Sequence, residues 1–86
     1  METSFTFTEA LAAQLRAERA ASQASLQSMA DAAGIAPGSV ARYLSGERDP
    51  AIGTVYRFTS VLDVTLDQLV QRATRRMDQH STQDAA

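Results

Sequence analysis

The chain has no cysteine and no lysine, and its 86 residues include only two prolines, four glycines and one histidine. Without cysteine, neither a disulfide framework nor a thiolate zinc site can hold the fold, so stability must come from packing alone. The lone histidine, His80, has no second ligand nearby in the sequence, which speaks against a metal site. No apolar stretch approaches the roughly 20 residues needed to cross a bilayer, and residues 1–10 lack a positive start followed by an apolar run. A soluble, cytoplasmic protein without a membrane partner is expected. Catalysis lacks its usual parts as well. There is no cysteine nucleophile, no evident Ser/His/Asp arrangement and no glycine loop to cradle phosphate, and so short a chain has little room to enclose a substrate. Neither an enzyme nor a cofactor nor a small-molecule substrate is expected.

What is present is enough apolar surface for one core, because a chain of this length cannot divide it between two. Net charge is −2 and all eight basic residues are arginine. An acidic balance weakens attraction to nucleic acid, since affinity for phosphate rests on basic side chains. The distribution answers part of that objection. Between residues 16 and 57 stand Arg16, Arg19, Arg42, Arg48 and Arg57 against Glu18, Asp31, Glu47 and Asp49, an excess of one positive charge. Glu2, Glu9, Asp78 and Asp84 lie near the ends, away from any central face.

Periodicity predicts five helices and an all-α fold. Thr6 and Glu9 have capping-box spacing, with Phe5 and Ala10 placed as a hydrophobic staple, so a first helix starts near Phe7 and runs to about Ser22 with Leu11 and Leu15 inward and Arg16 and Arg19 on its polar face. Ser25 can cap a second helix whose Leu26, Met29, Ala30 and Ala33 share one face. Gly34 ends it, and Pro37 suits the first turn of a third helix with Val40, Tyr43 and Leu44 inward. Ser45-Gly46 closes that helix, and a polar loop ending in Pro50 leads to a fourth, whose apolar positions are Ile52, Val55, Tyr56, Phe58 and Leu62. Asp63 tolerates a left-handed turn. Thr65 and Gln68 repeat the capping box before a fifth helix to about Arg75. Residues 1–77 form the predicted domain, and 78–86, polar and uncapped, a disordered tail.

The third helix follows the second after only Gly34-Ile35-Ala36, a turn tight enough to cross the two steeply and let one project into a DNA groove. From Leu11 to Leu69 the chain resembles the lambda-repressor-like family of helix-turn-helix domains. The matching residues are Leu15-Arg16, Arg19, Met29-Ala30, Gly34-Ile35, Val40, Arg42, Tyr43 and Gly46, then Pro50, Ile52, Thr54, Val55, Leu62, Val64, Leu66, Asp67 and Leu69. The set is ordered and without a gap, which makes it specific where each residue alone is not.

The resemblance implies a sequence-specific regulator, such as a phage or prophage immunity repressor or a Cro-like protein, that inserts its third helix in the major groove of double-stranded DNA. It places Pro37, Gly38, Ser39 and Arg42 against base edges, and Ser45 and Arg48 against phosphates. Only Arg42 could read a base strongly, by donating two parallel hydrogen bonds to guanine. Relatives carry a glutamine at the start of the second helix, where Leu26 stands here and Gln27 follows one position on. Tyr43 is expected in the core with its hydroxyl at the rim. With one strong reader per copy, a homodimer is expected on DNA, and Arg72, Arg75, Arg76 and Met77 are either its interface or a solvated end. The negative charge keeps a second class open, a protein-binding adaptor that retains the fold, and an antitoxin would join the two.

Overall fold

Each helix begins and ends where local chemistry provides a partner for backbone groups that a helix leaves open. In the computed structural model, which describes residues 5–85, α1 (Phe7–Ser22) starts with the capping box: the Glu9 amide donates to Thr6 Oγ1 at 3.1 Å and the Thr6 amide to Glu9 Oε1 at 2.9 Å. α2 (Leu26–Ala33) starts with a second box, in which Ser28, not foreseen as a capping residue, returns a hydrogen bond to Ser25. α5 (Leu66–Ala85) starts with a third, formed by Thr65 and Gln68. α3 (Pro37–Ser45) and α4 (Ile52–Leu62) start differently. Their capping positions are Ala36 and Ala51, and neither has a side-chain acceptor.

Left-handed residues end the first four helices. Gly34 (φ 69°) and Gly46 (φ 85°) adopt this conformation at no steric cost, and Asp63 (φ 57°) does so where the sequence suggested. Gln23 (φ 61°) does so without any local signal.

The core is one cluster drawn from all five helices. Leu15, Met29, Val40, Val55, Phe58, Leu62 and Leu69 are its largest fully buried side chains, each contributing roughly 1.5–3 kcal/mol by leaving water. Phe58 sits at the centre of α4, and Tyr43 of α3 tilts against it at 6.4 Å between ring centroids. Around this core α1 packs on α3, α4 and α5, and α2 on α3 and α4.

Three expectations need correction. Ile52 and Tyr56 are not core residues, being 65% and 63% exposed, because the buried stripe of α4 runs through Val55, Phe58 and Leu62 and leaves the opposite face in water. The fifth helix does not end near Arg75, and the expected disordered tail is helical as far as Ala85. Met77 packs against the core one turn after Ala73, and Arg72 and Arg76 donate to Glu18 and Gln14 of α1, each 7% exposed, so α5 stays bound to the fold past Arg75. Finally, Phe5 stacks on His80 at 4.4 Å between centroids, which joins the start of the fold to the segment expected to be loose. Residues 1–4, with Glu2, and Ala86 lie outside the described residues.

Candidate nucleic-acid interface

The turn between α2 and α3 is built by two backbone bonds: the Gly34 amide donates to Asp31 O at 3.3 Å and the Ile35 amide to Ala30 O at 3.0 Å. These bonds satisfy carbonyls at the end of α2 while Gly34 reverses the chain, so only three residues separate α3 from α2. Pro37 at the first turn of α3 has its φ already set for a helix. Val40 and Leu44 then anchor α3 in the core. The opposite face consists of Pro37, Gly38, Ala41, Arg42 and Ser45, all exposed, with Ser39 half-buried.

The Arg42 side chain makes no ion pair or hydrogen bond among the described residues, so the pairing with Glu47 that the sequence also allowed does not form. Its guanidinium stands ready with five donors. Arg48, in the loop after α3, is exposed and likewise unpaired with Glu47 or Asp49. Ser45 is exposed but engaged: its hydroxyl donates to Arg42 O at 3.0 Å and accepts from the Glu47 amide at 3.4 Å. Tyr43 is half-buried against Phe58, off the outward face. Gln27 is exposed on α2 and donates to Asp31 Oδ1 at 2.8 Å, which keeps one of its two polar ends occupied within its own helix.

The structure thus gathers Pro37, Gly38, Ser39, Arg42 and Ser45 on a single helix, with Arg48 just beyond its end. The electrostatics of the surrounding surface are balanced. From residue 27 to residue 57 the charged side chains are Arg42, Arg48 and Arg57 against Asp31, Glu47 and Asp49, all exposed, so three positive charges meet three negative ones.

Two features of the site were not foreseen. Alanine at the capping positions of α3 and α4 supplies no side-chain acceptor to the Gly38 amide of α3 or the Ile52 and Gly53 amides of α4, and alanine there was a signal available in the sequence. Arg16, expected on a solvated face of α1, donates from Nη1 to Leu44 O at the end of α3, 28 residues away. No local pattern could reveal that contact.

Two helices joined by a glycine turn, the second exposing a polar face with an unpaired arginine, define a helix-turn-helix protein. The model of the helix-turn-helix domain family matches residues 10–73, and the chain belongs to that family. The match is consistent with the lambda-repressor-like resemblance and points to a DNA-binding regulator. No curated protein and no solved structure matches the chain. Among the described residues, no helix is long and apolar enough to cross a membrane.

Proposed function

We propose that the protein is a sequence-specific regulator that lays α3 in the major groove of double-stranded DNA, in the manner of a phage or prophage repressor or a Cro-like protein, within the cytoplasm. The observation that carries this reading is the exposed, unpaired guanidinium of Arg42 at the middle of the outward face of α3. Arg42 donates to the O6 and N7 of a guanine, which is worth about 1–3 kcal/mol of discrimination against other bases. Ser39 adds a hydrogen bond to base or phosphate, and Pro37 and Gly38 let the start of the helix approach closely. Arg48, Ser45 and Gln27 act on the phosphate backbone, fixing register without reading sequence. Tyr43 supports them from the core edge. The absence of side-chain caps on α3 and α4 supports the reading, because it leaves the amides of Gly38, Ile52 and Gly53 for phosphate oxygens while the next amides bond to Ala36 O and Ala51 O.

One α3 reads few bases, so two copies act together on half-sites one helical turn apart. Neither catalysis nor a cofactor enters this role.

Selection of bound duplexes from a random library tests the proposal. A recovered motif containing guanine, with Arg42→Ala losing about 5- to 150-fold in affinity and relaxing that one base pair, is the expected result. Retention of no duplex at low salt would sink it. Sedimentation with and without the recovered site reads the number of copies. The balanced charge of the face favours a second reading, a protein-binding adaptor or antitoxin that keeps the fold, and a stable protein partner without any salt-dependent DNA binding would establish it instead.

A further inference from the structure

We propose that Arg16 is a positioning residue for α3: by holding the C-terminal end of that helix on α1, it sets the pose in which Arg42 meets DNA. The inference rests on the DNA-binding reading above.

Backbone contacts to α3 come from α1 and α2, and α4 meets it through side chains such as the Tyr43 ring on Phe58. At its start, α3 is fixed by the Gly34 turn. Its far end needs a second support, and α1 provides it at two positions one turn apart. A Cβ on Gly46 would lie 3.7 Å from the Ala12 Cβ, so the end of α3 rests directly on α1. One turn further along α1, the Arg16 guanidinium donates to Leu44 O at 2.5 Å.

That carbonyl is one the helix cannot satisfy itself. The amides of Gly46, Glu47 and Arg48 turn back to the carbonyls of Arg42 and Tyr43. Leu44 O is left for an outside donor, and a cation there also meets the negative end of the helix dipole. A charge-assisted bond of this kind is stronger than a neutral one. Arg42 lies two residues before the anchored carbonyl, so freedom at this end of α3 becomes freedom at the base-reading side chain. Since the reading surface has one strong contact, little else corrects a misplaced pose.

Arg16 is itself exposed, and a direct phosphate contact would give it a different signature. The test compares wild type with Arg16→Met in two measurements. Binding is measured to the selected duplex and to a scrambled one over a salt series. Amide hydrogen exchange of the free protein is measured residue by residue. The expected result is a loss of about tenfold or more for the selected duplex, with scrambled-duplex affinity and salt slope unchanged. Exchange at Gly46, Glu47 and Arg48 should quicken about tenfold while Leu15 and Phe58 keep their rates.

Equal losses for both duplexes, with the salt slope shrinking by about one, would make Arg16 a phosphate contact and overturn the proposal. Exchange that quickens as much at Leu15 and Phe58 as at Gly46 would show only general destabilisation and overturn it too. If wild type distinguishes no duplex from another, the DNA reading fails by itself, and the exchange data still report whether Arg16 anchors α3.

Discussion

Truncating Arg72 to alanine removes the partner of the most deeply placed charge in the described fold. The Glu18 side chain is 9% exposed, and Arg72 Nη1 lies 2.6 Å from its Oε2. Breaking a fully buried ion pair by deleting one member costs about 3–5 kcal/mol, because the other charge is left without compensation. Two features lower that figure here. The Arg72 side chain is 43% exposed, so water already screens the pair, and Glu18 keeps the hydrogen bond from Gln14 Nε2 at 2.8 Å. A loss of about 1–2 kcal/mol follows. For a domain of this size each kcal/mol lowers Tm by roughly 4–8 °C, so melting followed by circular dichroism should fall by roughly 5–15 °C. The decisive comparison is a double-mutant cycle with Glu18→Gln, which removes the charge that Arg72 compensates. Adding Arg72→Ala to Glu18→Gln should then cost much less than it does alone. If Arg72→Ala shifts Tm by less than about 2 °C, or if the two effects simply add, the pair does not hold α5 on α1.

Further substitutions probe other parts of the fold and the site. Phe58→Ala, at the centre of the core, should cost about 3–5 kcal/mol and leave the domain largely unfolded in denaturant titration. Ile52→Ser and Tyr56→Ser, on the exposed face of α4, should each stay within about 0.5 kcal/mol of wild type, and a larger loss would return them to the core that the sequence suggested. Gly46→Ala meets ordinary contact at Ala12 but forces a side chain to φ 85°, so the strain alone should lower stability by about 1–2 kcal/mol. Ala51→Asp supplies the cap that α4 lacks and should raise stability by about 0.5–2 kcal/mol, while its charge near phosphate weakens duplex binding. A variant that is stabilised yet binds unchanged would place the start of α4 away from DNA.

Most of the backbone was legible because its signals are local. Capping boxes at Thr6 and Thr65, glycines at 34 and 46 and the proline at 37 mark boundaries by chemistry that acts within four residues. The outward face of α3 was legible for the same reason, since Val40 and Leu44 define which side is buried. The misreadings share a cause. Ile52 and Tyr56 share the apolar character of Val55, Phe58 and Leu62, but the core takes only the last three, and residue type does not show where the buried stripe ends. The hold of α1 on α5 runs through Gln14 and Glu18, more than fifty residues earlier, and a buried glutamate looks in sequence like an interruption. Arg16 was hidden likewise. An arginine on a helix surface gives no indication that a carbonyl of another helix will fold against it.

These long-range bonds also bear on how an acidic chain can serve DNA. Of eight arginines, Arg16, Arg19, Arg72 and Arg76 donate to acceptors within the fold, at Leu44 O, Ala24 O, Glu18 and Gln14 respectively. Half of the positive charge therefore serves the architecture and is not offered to phosphate. Arg75 stands exposed on α5, a helix that packs on α1 and α4 and has no backbone contact with α3. Arg42, Arg48 and Arg57 remain on α3, its exit loop and α4. Three phosphate contacts would give log affinity against log salt a slope near −3 per copy, and each arginine turned to a base instead makes it shallower. Such a domain has little non-specific attraction to DNA, with three acids beside its three free arginines. Its affinity must come from correct placement of a few contacts, and in the proposal above the Arg16 bond that holds α3 on α1 serves that placement.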